Sequence, residues 1–145
     1  MMRVMPMSDP SLRMFPVRLH PGDDLRRALE AVVAGQGAAA AFVLSGIGSL
    51  RPAMIRLAGA EVTMAIEADT ELLTLSGTIA EGASHLHLSV SDAQGRVVGG
   101  HAGYGCVVRT TAEVLLALLP GWRFSREIDP VTGWAELAIR RGAGT

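Results

Sequence analysis

Three of the four histidines fall within seventeen residues, at positions 85, 87 and 101. His85 and His87 lie two apart in residues 84–91, where apolar and polar residues alternate, so a strand would project both imidazoles from one face. Residues 92–95 predict a hairpin turn that brings the segment leading to His101 back alongside. Neutral imidazoles on adjoining strands suit zinc and related divalent ions. The spacing predicts a metal site, and the alternative is a row of polar residues on a solvated face.

The residues around His101 extend this hypothesis. Gly99 and Gly100 precede it and would let another backbone, or a metal with its ligands, approach closely. Three histidines leave a fourth position for water, a substrate or another side chain, and Cys106 and Glu113 are the nearest candidates by sequence. Cys106 is alternatively a small buried hydrophobe. Glu113 is a candidate catalytic base for a metal-bound water, or else an exposed position on a strand or helix.

Two further residues are candidates for holding a small ligand. Ser49 ends a Gly-Ile-Gly-Ser segment that invites comparison with phosphate-binding loops. The segment lacks Gly-Lys-Ser/Thr and a following helix, which favours a bulge or a tight subunit contact instead. Arg56 is placed near an apparent strand end, where it could bind an anionic ligand beside the metal or simply face solvent.

The elements that must position these residues are mostly strands. Apolar residues recur at helical spacing in residues 24–36, after a turn in which Asp23 could cap the helix. Residues 45–49 predict a turn or bulge, and residues 107–119 fit a strand, a helix or one after the other. Strands are predicted at residues 12–19, 38–44, 53–57, 61–66, 71–79, 84–91, 96–98, 122–128 and 134–139. Many strands with one firm helix indicate an α+β fold.

Composition narrows the function classes. The 145 residues suit one domain, and the 49% hydrophobic fraction can fill a core without disulfides, for which the single cysteine gives no partner. The net charge of −1 lacks the basic excess of a DNA-binding domain. Neither a signal peptide nor an apolar run of roughly 18 residues is present, which favours a cytoplasmic protein without membrane contact.

Several separated motifs, in order between Met14 and Leu137, together resemble the signature of the PPC domain (the plants and prokaryotes conserved domain). The resemblance is carried by the segments at residues 21–25, 46–49, 76–77, 85–92, 95, 99–101, 105–106, 111–113 and 129–133.

This resemblance implies an antiparallel sheet with one or two packed helices, assembled as a homotrimer. It also implies that His85, His87 and His101 are metal ligands, as in some bacterial and archaeal members. Because no Arg-Gly-Arg core occurs, the chain resembles the stand-alone prokaryotic members, which lack the AT-hook of plant members. Residues 12–141 would form the domain, and residues 1–11 a flexible arm.

Three functions remain open from the sequence. The first is a trimeric module that binds a divalent metal, zinc foremost, and a small molecule in a cleft between subunits. The second is a DNA-binding or transcription-related interaction protein that would meet DNA only through partners or through a trimeric surface. The third is a metal-dependent enzyme, whose reaction the residues do not identify.

Overall fold

In a computed structural model, which describes residues 12–142, the chain forms ten strands and one α-helix. The elements in chain order are β1 (Arg13–Leu19), α1 (Leu25–Gly35), β2 (Ala40–Leu50), β3 (Ala53–Arg56), β4 (Met64–Ile66), β5 (Thr70–Ala80), β6 (Ala83–Ser91), β7 (Val97–Ala102), β8 (Val108–Leu118), β9 (Trp122–Ile128) and β10 (Ala135–Arg141). The predicted arm at residues 1–11 lies outside the described residues. A mostly antiparallel sheet with one short helix confirms the expected fold class.

Eight of these strands form one sheet in the order β1-β8-β2-β5-β6-β7-β3-β4, and every neighbouring pair is antiparallel. The remaining two, β9 and β10, form a separate antiparallel hairpin. The order places β6, which carries His85 and His87, between β5 and β7. These three strands are consecutive in the chain, so short turns connect the strand that carries the two histidines to both of its neighbours.

The helix packs its apolar stripe against one face of the sheet. Leu25, Leu29 and Val33 are at most 1% exposed, and their spacing is that of one helix face. The cap lies one residue later than predicted, because Asp24 rather than Asp23 accepts hydrogen bonds from the first-turn amides. The carboxylate of Asp23 instead accepts from the backbone of the preceding turn.

The two faces of β6 differ as the alternation predicts. Leu86, Leu88 and Val90 are at most 4% exposed and join the core beneath α1. His85 and His87 project from the opposite face, which the β9–β10 hairpin covers at one end. There the rings of Phe42 and Phe124 meet edge to face, 5.6 Å apart. The histidines thus lie on the sheet surface that α1 leaves open.

The structure decides between the alternatives left open for two segments. Residues 45–49, predicted as a turn or bulge, do not form a turn: β2 continues through them to Leu50, with register shifts between Val43 and Ser45 and between Gly48 and Leu50. Gly48 permits this, because a Cβ there would lie 2.3 Å from the Thr111 carbonyl oxygen. Residues 107–119, which fitted either structure, contain one continuous strand, β8.

Among residues 12–142, no helix has the length and apolar character needed to cross a bilayer.

Candidate metal centre

A row of side chains crosses four strands on the open face of the sheet. His87 of β6 pairs directly with His101 of β7, and His101 pairs in turn with Arg56 of β3. On the other side of β6, Ser76 pairs with His87, and Thr78 pairs with His85. Directly opposed residues place their Cβ atoms about 4.5–5.5 Å apart. The register therefore brings the three imidazoles together.

Two glycines let the backbone pack tightly beside the imidazoles. At Gly100 a Cβ would lie 2.5 Å from the carbonyl oxygen of Arg56, and at Gly77 it would lie 2.0 Å from that of His85. Gly77 also has a φ of +144°, which other residues rarely adopt. The glycine before His101 was expected to allow such an approach, and the neighbouring backbone is that of β3.

The imidazole nitrogens converge on one point. His85 Nε2 lies 3.1 Å from His87 Nε2 and 3.3 Å from His101 Nδ1. The three candidate ligand atoms all lie within 4.8 Å of one another. Two ligands of a tetrahedral zinc ion, each 2.0–2.1 Å from the metal, lie about 3.3 Å apart. The spacings to His85 Nε2 therefore match those of a shared metal ion.

Hydrogen bonding among the rings is a poorer explanation of this arrangement. A neutral imidazole nitrogen carries either one hydrogen or one lone pair, so His85 Nε2 can satisfy only one of its two nitrogen neighbours through a hydrogen bond. An ion between the three rings would accept a lone pair from each. The donor set and its convergence thus fit a divalent metal.

The surroundings favour the neutral form of two of these rings. Burial lowers the pKa of His85 below its ordinary value, and the positive charge of Arg126 lowers it further. Burial also lowers the pKa of His101, and the positive charge of Arg56 lowers it further. Neutral imidazole is the form that binds a metal, so both shifts favour metal binding near neutral pH.

A cleft of about 690 Å³ opens beside His85 and His101. Its charged and aromatic lining comes from the helix, the sheet edge and the second hairpin. These residues are Arg26 of α1, Arg56 of β3, Arg126 of β9, Trp134 just before β10 and Glu136 within β10. The volume is that of a small-molecule site.

Arg26 ties the helix to the strands that carry the histidines. Its Nε donates to the Ser84 hydroxyl at 2.7 Å, and its Nη1 donates to the Ala102 carbonyl at 3.3 Å. It also forms an ion pair with Glu30 at 3.5 Å, and that carboxylate accepts from the Tyr104 hydroxyl at 2.9 Å and from Ser84. Arg26 therefore holds the cleft wall, with its charge already matched.

The structure brings Arg56 to the histidines but leaves Glu113, Ser49 and Cys106 elsewhere. Glu113 lies on β8, three strands from β6, which amounts to at least about 14 Å. Ser49 is 4% exposed, and its hydroxyl lies 2.6 Å from that of Thr110. The buried thiol of Cys106 donates to the Met54 carbonyl, and burial raises its pKa.

Sequence reasoning missed the contribution of the second hairpin. Arg126 and Glu136 gave no signal, since nothing local predicts that β9 and β10 fold over the histidine face. Trp134 belongs to the same contribution, because it is 74% exposed and lines the cleft. The backbone contact that joins this hairpin to the main sheet is also long-range, because an isolated parallel β-bridge pairs Arg123 of β9 with Ala39, just before β2.

Solved structures of similar fold come from bacteria and archaea. A hypothetical protein from Salmonella enterica is 37% identical, with a TM-score of 0.87 over 90% of this chain and 95% of that one. A protein from Archaeoglobus fulgidus, described as metal-containing, is 29% identical, with a TM-score of 0.74 over 87% and 93%. A plant- and prokaryote-conserved (PPC) protein from Pyrococcus horikoshii is 28% identical, with a TM-score of 0.71 over 86% and 91%.

Two curated relatives are much longer than this chain. They are bifunctional GlmU proteins from two strains of Synechococcus, each 46% identical, over 139 and 141 residues. The matches cover 96% and 97% of this chain but span only 22% and 23% of those relatives. The sequence profile of the Plants and Prokaryotes Conserved (PCC) domain matches residues 7–120, well over half of the chain. The chain therefore belongs to the PCC domain family, which is the family that its motifs resemble.

Proposed function

We propose that this protein is a homotrimeric module that binds a divalent metal on His85, His87 and His101 and a small molecule in the adjoining cleft. The observation that carries the proposal is the convergence of three imidazole nitrogens within 4.8 Å. The description of the Archaeoglobus fulgidus relative as metal-containing supports it. Zinc is the metal we expect first, because a set of three imidazoles suits it.

A bound metal would supply Lewis acidity and an open position for an exogenous oxygen or nitrogen atom. The chain's own residues then perform separate tasks. The histidines would hold the ion, and burial lowers the pKa of His85 and of His101, which favours the neutral form that can do so. The cleft beside them would enclose the ligand, with Trp134 offering an apolar surface.

Self-association is supported by exposed apolar side chains on two neighbouring strands, β2 and β5. Phe42, Leu44 and Ile47 of β2 are 37–53% exposed, and Leu73 of β5 is 43% exposed. Several exposed large apolar side chains on adjoining strands of a folded domain are typical of an interface. A second and third copy of the chain would cover these side chains, and would also bring the cleft next to a neighbouring subunit.

The metal site is tested by zinc titration calorimetry and by elemental analysis of the dialysed protein. We expect one zinc per chain for the wild type and a loss of affinity of at least 100-fold for His87→Ala and for His101→Ala. His20→Gln is the matched control, because His20 is exposed in a turn outside the cluster. Equal zinc binding by the wild type and both cluster variants would remove the proposed metal function.

The trimer is tested by light scattering. A chain of 15.2 kDa should elute with three times that mass, and Ile47→Asp should shift the mass toward that of one chain. Val97→Asp, at an exposed position on β7, is the control and should leave the mass unchanged. A wild-type mass of one chain would refute the assembly without bearing on the metal.

A further inference from the structure

We infer that the cleft contains an oxyanion subsite, formed by Arg56 and Arg126 on opposite sides of the histidines, and that the small molecule carries a phosphate or carboxylate group. The inference deepens the proposed function, on which it rests for the metal. Its physical basis is that, among the acidic groups of residues 12–142, none forms an ion pair with either guanidinium, although both arginines are partly buried.

Arg56 has most of its hydrogen-bonding capacity unused. It pairs in register with His101, so both side chains leave the same face of the sheet. Its Nη1 donates to the Ala60 carbonyl at 3.2 Å, and among residues 12–142 no acidic side chain forms an ion pair with it. A guanidinium carries five N–H donors, so the others remain available to a ligand.

Arg126 approaches the cluster from the other side. Its Nη2 donates to the Thr78 hydroxyl at 3.0 Å, and Thr78 pairs in register with His85. In the described part of the chain it likewise has no ion-pair partner. Arg126 and His85 also line the same cleft, which places the guanidinium and the imidazole on one surface.

The charge of the cleft as a whole is positive. The carboxylate of Glu136 is the acidic group within it, and this group accepts a hydrogen bond from the Thr132 hydroxyl at 3.0 Å. The charge of Arg26 is matched by Glu30. Arg56 and Arg126 therefore outweigh Glu136, and a divalent ion on the histidines would add to the excess. A concave site with this excess concentrates anions.

An oxyanion is the ligand chemistry that satisfies both features of the site. Guanidinium groups bind phosphate and carboxylate oxygens through paired, charge-assisted hydrogen bonds. The same group can present an oxygen to the open position of a metal held by three histidines. A neutral ligand would leave two partly buried guanidinium charges without a partner.

The subsite is tested by titrating inorganic phosphate, and separately succinate, into the zinc-loaded and the zinc-free protein by calorimetry. We expect the double variant R56Q/R126Q to weaken the binding of at least one of the two anions by tenfold or more in both forms. Arg123→Gln is the matched control, since Arg123 lies on β9, is exposed and pairs with Glu81. It should change the affinity less than twofold. The better-bound anion identifies the oxyanion class.

The possible outcomes separate this inference from the metal function. If zinc binds with unchanged stoichiometry but R56Q/R126Q binds both anions as the wild type does, the subsite is refuted and the metal site stands. If zinc does not bind but phosphate or succinate binds in an arginine-dependent manner, the subsite stands and the metal function falls. Should the glutamine variant misfold by circular dichroism, R56K/R126K replaces it. That variant keeps the charge but loses the paired donors, and equal binding by it would refute bidentate recognition.

Discussion

Gly100→Ala should disturb the metal site without removing any ligand. A Cβ at Gly100 would lie 2.5 Å from the carbonyl oxygen of Arg56 and 3.1 Å from the Cγ2 atom of Ile55. Real Cβ atoms do not approach other atoms within 3.0 Å, so β3 and β7 must separate by about 0.5 Å. The ladder between these strands has two residue pairs, one of which is Arg56 with His101. This short ladder can therefore offer little resistance to the separation of the two strands.

The expected effects follow from that displacement. Overpacking of this size costs about 1–3 kcal/mol of unfolding free energy. His101 is the next residue, and a movement of about 0.5 Å exceeds the roughly 0.2 Å tolerance of a metal–ligand bond. We therefore expect zinc affinity to fall by about 10–100-fold, the range seen when support for a ligand is lost.

Urea denaturation measures the loss of unfolding free energy, and zinc titration calorimetry measures the loss of zinc affinity. Gly35→Ala is the control, because nothing lies within 4 Å of a Cβ at that helix position and alanine suits a helix. It should leave zinc affinity unchanged. If Gly100→Ala unfolds at the wild-type urea concentration and binds zinc as tightly, then the close contact between β3 and β7 does not position the site.

The remaining predictions concern the core, the metal and nucleic acid. Leu86→Ala removes a side chain that is 1% exposed between two ligands, and urea denaturation should show a loss of about 2–5 kcal/mol; a loss below 1 kcal/mol would contradict the assigned core. Zinc at a free concentration of 100 times its Kd should raise the unfolding free energy by about 2.7 kcal/mol, and a chelator should reverse this; a melting temperature insensitive to both would argue against binding to the folded state. Fluorescence anisotropy should show no binding of duplex DNA at low salt, given the net charge of −1, and a salt-dependent Kd in the micromolar range would overturn this expectation.

Local patterns predicted the part of the site that one hairpin supplies. The alternation at residues 84–91 and the turn at residues 92–95 determine which face carries His85 and His87 and which strand lies beside it. Both signals act over a few residues, so they could be interpreted without knowing the rest of the chain. The register that places His101 opposite His87 follows from the same turn.

Glycines and distant strands were harder to interpret. Gly46 and Gly48 were interpreted as a turn or a bulge; in the sheet the strand continues with register shifts, and their missing side chains let neighbouring strands approach closely. Sequence cannot separate these roles, because both require a residue without a Cβ. The position of Glu113 depended on β8 pairing between β1 and β2, which is a long-range arrangement that no local pattern specifies.

Segments that are close in sequence and segments that are distant in sequence supply different chemical groups to the candidate site. The proposed metal ligands come from β6 and β7, which are joined by a short turn, whereas the two arginines of the inferred subsite come from β3 and β9. On this proposal, metal affinity would depend mainly on one hairpin, and the choice of ligand would depend on how β3 and the second hairpin meet above it. Substituting Arg126 should therefore change which molecules bind while leaving the zinc stoichiometry intact. Substituting His87 should remove the metal while the arginine-lined wall of the cleft stays in place.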